Sequence, residues 1–326
     1  MPEILPRRDN SVGGPTEASA ETKTQVKLEQ AVLKTLAFFS LYELPLSSRR
    51  VHELLYGEFV SLPQVTETLG NLVVSGQVLQ KDNLYSLKSW NAATYQANQL
   101  ELIKKWEKID RYFNWLAVLP FVRNISVINS LSLGTSDADS DIDFFVITKP
   151  NRLYFVRSLI IVLFRSLGVY KTRQKIKDRF CFGFYTTTDN LEFESLKLKP
   201  EDPYFDFWLA NMRPVVGSQA YWQLMQKNPW LTQAFPNFEP TQRFASAKKP
   251  SFIVLSIKYI LEVLLWLPVS LAEPFFRRIH INHTFKLAEN RGLTSTTIAN
   301  SSMLKLHGYD VRAEIAERFK RIIETK

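Results

Sequence analysis

Residues 129–147 read NSLSLGTSDADSDIDFFVI, and the end of this stretch decides the fold of the region around it. Two carboxylates, Asp141 and Asp143, are separated by one residue, and an apolar run of β-forming residues follows them. Side chains two residues apart in a strand point the same way, so both carboxylates should lie on one face. Like charges this close repel, and a bound Mg²⁺ or Mn²⁺ ion relieves the repulsion. The pair therefore predicts a metal site for phosphoryl chemistry.

A plainer interpretation is a turn rich in Asp and Ser that enters an ordinary buried strand. Asp137, Asp139 and Asp141 would then be solvated turn residues, with Asp143 as a stray charge. Against this, Asp143 must point the same way as Asp141 while the apolar run continues, and an inward acid without a partner is costly. We therefore favour the metal site.

A small polar turn precedes the acidic pair. It contains Asn129, Ser130, Gly134, Thr135 and Ser136. Backbone N–H groups in such a turn can face an anion, as they do in phosphate-binding loops. The turn is therefore a candidate phosphate site beside the candidate metal site.

The turn and the acidic pair together resemble the DNA polymerase β superfamily of nucleotidyltransferases. Its signature is a strand, a Gly-Ser turn, about ten residues, and Asp-x-Asp on the next strand. If Gly134-Thr135 is the Gly-Ser pair, five residues separate it from Asp141, too few for a helical turn; if Asn129-Ser130 is the pair, ten residues intervene. We take the second alignment, in which Asn129 replaces the expected glycine and adds bulk where phosphate should approach.

The resemblance implies an α+β fold with a nucleotidyltransferase-like mixed sheet. It implies that Asp141 and Asp143 are catalytic and bind Mg²⁺ or Mn²⁺, that a nucleoside triphosphate is the substrate, and that Asn129 and Ser130 bind its phosphates. The family also uses a third carboxylate on a later strand, often as a base. No acid lies within the predicted strand Phe180–Thr186, so Asp178, just before it, is the nearest candidate, and Glu192 and Glu194, just beyond it, are alternatives.

Basic residues follow the acidic pair in the sequence. Nine Lys and Arg residues lie between Lys149 and Arg179, against one acid, in a chain with a net charge of +9. Arg152 and Arg157, on the helix predicted after the acid-bearing strand, are candidates to neutralise the phosphates of the nucleotide. The run from Lys171 to Lys177 is either part of such a surface or a solvated basic loop.

Residues 26–90 predict a small separate domain that resembles a winged helix. Three helices are expected over Val26–Ser40, from Ser47 or Ser48 to Tyr56, and from a Ser61/Gln64 capping box to about Ser75, followed by a hairpin. The third helix has Glu67 and no Lys or Arg, which argues against DNA binding. We expect a protein partner or a scaffolding role instead.

The remaining chain divides into three parts. Residues 1–25 are polar, and we expect a disordered tail. Residues 91–200 would form the nucleotidyltransferase core with a leading linker helix, and residues 201–326 a mostly helical domain. Phe252–Leu267 is the most hydrophobic stretch, but Lys258, Glu262 and Pro268 interrupt it, so we expect a buried helix and no transmembrane span. Contact of residues 252–276 with a membrane surface stays open, since the basic residues Arg277, Arg278 and Lys286 follow.

Composition and motifs lead to one principal function and one alternative. The chain of 326 residues has ordinary globular composition, a single cysteine and no apolar signal-peptide core, so we expect a cytoplasmic protein. The principal hypothesis is a Mg²⁺-dependent enzyme that transfers NMP from an NTP to an unidentified hydroxyl acceptor. The alternative is a protein for nucleotide sensing or assembly, with a degenerate core that has weak activity or none.

Overall fold

The computed structural model describes residues 17–243, 248–290, 292, 297–306 and 310–325, and these form a mixed α/β structure. The helices are α1 (Glu17–Ser40), α2 (Ser48–Glu53), α3 (Leu62–Val74), α4 (Ala92–Arg111), α5 (Phe113–Ala117), α6 (Asn129–Leu133), α7 (Leu153–Ser166), α8 (Pro203–Asn211), α9 (Ser218–Gln226), α10 (Trp230–Ala234), α11 (Phe252–Glu289) and α12 (Arg312–Glu324). The strands are β1 (Leu46–Ser47), β2 (Leu79–Lys81), β3 (Leu84–Ser86), β4 (Val122–Val127), β5 (Ile142–Thr148), β6 (Phe180–Thr187), β7 (Arg213–Val216), β8 (Ile298–Ala299) and β9 (Met303–Lys305).

The N-terminal unit contains the predicted three helices and hairpin. The predicted capping box is present at the start of α3, where Ser61 and Gln64 pair. The hairpin β2–β3 turns through Asp82 and Asn83, both with positive φ, as a type I′ turn requires. Helix α1 begins at Glu17, so residues 17–25 of the expected tail are helical, and residues 1–16 lie outside the described residues.

A six-stranded mixed sheet forms the centre of the molecule, in the order β7-β4-β5-β6-β9-β8. The predicted succession of strand, turn, strand, helix and strand is present as β4, α6, β5, α7 and β6. Strand β5, which carries Asp143, pairs antiparallel with β4 and parallel with β6. The acid-bearing strand therefore lies in the interior of the sheet, where its position is fixed from both sides.

The C-terminal part of the chain completes this sheet, which the expectation of a mostly helical C-terminal domain missed. Strand β7 pairs with β4 at one edge, and β9 pairs with β6 toward the other. Strand β7 contains Pro214, which cannot donate a hydrogen bond and is tolerated at a sheet edge. Residues 201–326 are thus not separate from the core.

Two hydrophobic cores lie on opposite faces of the sheet. Alternate residues of β5 enter different cores, since Phe145 packs with Trp208 of α8, whereas Phe144 packs with the side that includes Ile160 of α7. The first core continues into the N-terminal unit, where Phe38 stacks on Phe207 with ring centroids 4.1 Å apart. The N-terminal unit therefore shares its core with the rest of the chain, across the domain boundary expected at residue 90.

Helix α11 is 38 residues long, and its placement corrects the expectation of a buried helix. Only 6% of its most apolar 18-residue window is buried, and Pro268 lies inside the helix without ending it. Among the described residues, α11 is the one helix long and apolar enough to cross a membrane by length and composition. The prediction of burial is wrong because it assumed that so apolar a surface must be covered.

Candidate functional site

The two predicted carboxylates meet at the start of β5, as the strand period requires. Oxygen atoms of Asp141 and Asp143 and the sulfur of Cys181 all lie within 4.8 Å of one another. Cys181 lies opposite Asp143 in the parallel pairing of β5 and β6. Sequence reasoning missed Cys181 because it looked for a third acid on this strand, and only the strand register shows that a thiol lies there.

The carboxyl group of Asp143 has neighbours that raise its pKa and neighbours that lower it. Burial raises the pKa of its carboxyl to about 6, and the negative charge of Asp141 acts in the same direction. Hydrogen bonds from the side chains of Asn129 and Cys181, and the charge of Lys171, oppose this effect. Asp143 is therefore an acid whose ionised form is disfavoured until more positive charge arrives.

The turn before β5 fixes the first of these partners. Asn129 begins α6 with φ of 58°, a left-handed conformation that asparagine tolerates better than most residues. Its side-chain oxygen accepts a hydrogen bond of 2.9 Å from Nε1 of Trp208, while its side chain also contacts Asp143. Asn129 thus bridges α8 and the carboxylate pair, in the position where the superfamily signature has glycine.

Ser130 and Gly134 shape the rest of the turn. The carbonyl oxygen of Ser130 accepts hydrogen bonds from the backbone N–H groups of Gly134 (3.0 Å) and Thr135 (2.8 Å). Gly134 ends α6 with φ of 89°, where its lack of a side chain is needed. These two amides are therefore already paired within the turn.

Lys171 is the basic residue that the structure brings to the carboxylates. Its Nζ lies 2.6 Å from Oδ2 of Asp141. Burial lowers the pKa of Lys171, but its interactions with Cys181, Asp141 and Asp143 outweigh the effect of burial, and the net pKa is raised. Lys175 and Lys177, farther along the same run, are exposed. The run from Lys171 to Lys177 is thus mostly a solvated loop, and Lys171 at its start contacts the carboxylate of Asp141.

Asp178, the candidate third carboxylate, lies outside this cluster. Its Oδ1 forms a 2.6 Å ion pair with Nζ of Lys105, whose side chain is fully buried. Lys108 donates to its backbone carbonyl at 2.6 Å. These contacts describe a structural ion pair between α4 and the loop before β6, and they give no support to a role as base.

Arg152 and Arg157 are not brought to the carboxylates either. Both are buried on α7 or at its start, on the opposite face of the sheet from Asp143. Arg152 donates to the carbonyl oxygen of Trp266 (3.1 Å) and to the hydroxyl of Ser270 (2.5 Å). These contacts hold α11 against the domain, so we leave both arginines out of the nucleotide site.

The assembled site therefore consists of two carboxylates, a thiol, an ammonium group and an asparagine, at the junction of β5, β6 and α6. Two carboxylates can hold a divalent cation, and the lysine can contact an anion beside it. No protein-family profile, curated protein or solved structure matches the chain.

Proposed function

We propose that the protein is a nucleotidyltransferase that transfers NMP from an NTP to a hydroxyl acceptor, with Mg²⁺ or Mn²⁺ bound by Asp141 and Asp143. One observation carries the proposal: both carboxylates lie side by side at the start of an interior strand, directly after the α6 turn. The order β4, α6, β5, α7, β6, with β5 antiparallel to β4 and parallel to β6, supports a nucleotidyltransferase-like core.

The donor set fits a hard divalent cation. Mg²⁺ commonly takes one or two carboxylates from a protein and completes its shell with water and substrate phosphates. Burial raises the pKa of the Cys181 thiol well above its usual value, so the thiol stays neutral and donates to Asp143 rather than acting as a thiolate ligand. Burial, with the negative charge of Asp141, raises the pKa of Asp143, and a bound cation would stabilise its ionised form.

Each residue of the site then has a defined part. A bound cation would neutralise triphosphate oxygens and the charge that develops on the leaving pyrophosphate. Asn129 orients Asp143, and Ser130 contacts the terminal phosphates. Lys171, which pairs with Asp141 in this structure, would be within the site to contact a phosphate oxygen when a cation takes its place beside the carboxylates. No carboxylate among the described residues near the pair is placed as a base.

The N-terminal unit supports the proposed winged-helix-like scaffold. Its three helices and hairpin have the expected order, and its core is continuous with α8 through Phe38 and Phe207. Strand β1, which was not predicted from the sequence, pairs with β3. Helix α3 presents Glu67 and no Lys or Arg, so a DNA-binding role finds no support in its charge. We propose protein contact or internal scaffolding as its role.

Binding of NTP with and without Mg²⁺ tests the proposal. Wild type should bind NTP in a Mg²⁺-dependent manner, Asp143→Ala should lose that binding, and pyrophosphate should appear when an acceptor is supplied. Asp139→Ala is the matched control, because Asp139 is an exposed acid of the same loop outside the cluster. Binding that is absent or independent of Mg²⁺ would contradict the proposal.

Three observations favour the alternative, a nucleotide-sensing or assembly protein with little turnover. Asn129 stands where the signature has glycine, Cys181 stands where a third acid was sought, and Asp178 is committed to Lys105. The same experiment separates the two functions. A sensor would bind NTP with Mg²⁺ and lose binding in Asp143→Ala, but it would release no pyrophosphate with any acceptor.

A further inference from the structure

Helix α11 contacts the domain along one stripe, and this stripe holds the charged groups of its apolar part. Lys258 donates to the carbonyl oxygen of Val122 (2.7 Å), and Glu262 pairs with Arg123 (2.7 Å). About two and then three turns farther along, Val269 is buried and Glu273 accepts from backbone N–H groups at the start of α7. The charges that interrupt this apolar sequence therefore all face inward.

The opposite stripe is apolar and open. Its members recur at steps of three and four residues and are each more than half exposed: Ile260, Leu264, Leu267, Leu271 and Phe275. Three aromatic side chains on the flank between the two stripes are also exposed, with Phe252 83%, Tyr259 70% and Trp266 59% exposed. Because Glu262 and Glu273 are turned inward, the outward surface of residues 252–276 carries no acid. So large an apolar face needs a partner.

Charge indicates what that partner is. Basic side chains border the apolar stripe at both ends, with exposed Lys248 and Lys249 before α11 and exposed Arg278 and Lys286 in its second half. A helix with an apolar face, interfacial aromatic residues and flanking basic groups has the composition of segments that bind anionic lipid surfaces. A protein partner would require no such combination.

The docking geometry decides how α11 meets a bilayer. Polar contacts to the domain run from Lys258 to His280, which hydrogen-bonds Ser158 at 2.7 Å. At a rise of about 1.5 Å per residue this docked length is about 33 Å, comparable to the hydrocarbon thickness of a membrane. A helix docked over that whole length cannot cross the bilayer unless the domain enters with it, and the polar groups of the domain forbid that.

We propose that the protein binds an anionic membrane surface through α11, which lies in the plane of the interface with the stripe Ile260–Leu264–Leu267–Leu271–Phe275 inserted among the acyl chains. The proposal is independent of the nucleotidyltransferase chemistry, because the inserted stripe and the carboxylate pair lie on elements that share no residue. Membrane binding of this kind requires no change in the conformation of α11 or in its contacts with the domain.

Co-sedimentation of the full-length protein with vesicles tests this. Phosphatidylcholine vesicles that contain phosphatidylglycerol should bind the protein, pure phosphatidylcholine vesicles should bind it more weakly, and added NaCl should reduce binding. The double variant Leu264→Glu/Leu271→Glu should lower the vesicle affinity at least about tenfold. Both side chains are exposed, so circular dichroism and thermal melting should match wild type.

A matched variant distinguishes binding through α11 from nonspecific binding by exposed apolar residues elsewhere on the protein. Phe59→Glu/Val74→Glu replaces two exposed apolar residues of the N-terminal unit and should leave vesicle binding unchanged. Alkaline carbonate should extract the wild-type protein from the vesicles, as it does peripheral proteins. Resistance to carbonate would mean a spanning helix and would overturn the proposal. Failure to sediment with anionic vesicles, or dimerisation that Leu264→Glu/Leu271→Glu abolishes in the absence of lipid, would overturn it as well.

Discussion

The negative charges of Asp141 and Asp143 are only partly compensated by the neighbouring side chains of the protein. Asp143 receives hydrogen bonds from Asn129 and Cys181, and Asp141 receives the ammonium group of Lys171. Even so, burial and the second acid keep the pKa of Asp143 raised at about 6. The folded protein therefore holds a proton on Asp143 more tightly than the unfolded chain does, and this linkage makes stability depend on pH.

Replacing Asp143 by Asn should stabilise the metal-free protein near neutral pH. The pKa of Asp143 is raised from 3.8 to about 6, so ionisation costs the folded state free energy as pH rises through that window. Above about pH 6 the gain in free energy of unfolding should be on the order of 1–3 kcal/mol, and it should vanish below about pH 4. Thermal denaturation across this pH range, with Asp139→Asn as the control, measures it; a loss of stability in Asp143→Asn at neutral pH would contradict it.

A divalent cation should reverse the order of stability. Mn²⁺ or Mg²⁺ that binds only the folded state raises Tm according to its concentration and Kd. We expect the ion to raise the Tm of wild type and of Asp139→Asn, and to leave that of Asp143→Asn unchanged, since one of its two carboxylate ligands is gone. An equal rise in all three proteins would place the ion elsewhere.

Removing Asp178 should affect folding more than chemistry. Asp178→Ala leaves the ammonium group of Lys105, on a fully buried side chain, with the carbonyl oxygen of Ser140 as its remaining partner. We expect a loss on the order of 2 kcal/mol, less than for a fully buried pair because a third of the Asp178 side chain is exposed. Urea denaturation measures the loss, and Lys105→Met in the same chain should restore part of it. If Asp178→Asn instead abolished pyrophosphate release at unchanged stability, a role as base would be supported.

At the scale of elements, α11 and α7 stabilise each other through one side chain. The two oxygens of Glu273 accept from the backbone N–H groups of Tyr154 (2.8 Å) and Phe155 (2.9 Å), in the first turn of α7. These N–H groups have no acceptor within their own helix, and a carboxylate there also interacts favourably with the helix dipole. A residue from a distant helix thus caps α7.

Glu273→Ala should therefore weaken α7 as well as the docking of α11. We expect a loss of about 1–3 kcal/mol in the free energy of unfolding, because two buried N–H groups lose their acceptor. Hydrogen exchange should accelerate at Tyr154 and Phe155 ahead of the rest of α7. Glu289→Ala, an exposed acid at the end of the same helix, should change neither quantity. Unchanged exchange at Tyr154 in Glu273→Ala would show that the cap does not stabilise α7.

Elements that depend on local sequence could be predicted, and elements that depend on distant partners could not. The Ser61 capping box, the hairpin and β5 follow from spacing and periodicity within a few residues. Strand β7 has four residues and forms only because β4 offers an edge. The carboxylate pair followed from the strand period, but Cys181 entered the site through the register of β6 and Lys171 through a loop, neither of which the sequence specifies.

On the scale of the whole molecule, the N-terminal unit shares one hydrophobic core with the C-terminal helices α8, α9, α10 and α12. Phe38 of α1 stacks on Phe207 of α8, and Tyr56 donates a 2.8 Å hydrogen bond to Asp206 of the same helix. Residues far apart in sequence thus close the same core. We therefore expect the chain to unfold in one transition, with no stable intermediate that retains only residues 91–200.

Phe38→Ala should destabilise both parts of the chain together. Truncating a fully buried Phe costs about 3–5 kcal/mol, and here the cavity would open between α1 and α8. Hydrogen exchange should accelerate in α8 as well as in α1, and the melting curve should stay a single transition at lower Tm. Phe59→Ala, at a side chain 77% exposed, should leave both unchanged. A second transition in Phe38→Ala would mean that the N-terminal unit folds on its own.

The two faces of the central sheet carry different features. Helix α7, with α11 outside it, covers one face, while Asp143 lies with Phe145 and Trp208 on the other. A molecule resting on a bilayer through α11 would keep the sheet between its carboxylates and the lipid. Its nucleotide and its acceptor would then arrive from the water, so a hydroxyl on a soluble molecule would reach the site more readily than one embedded in the membrane.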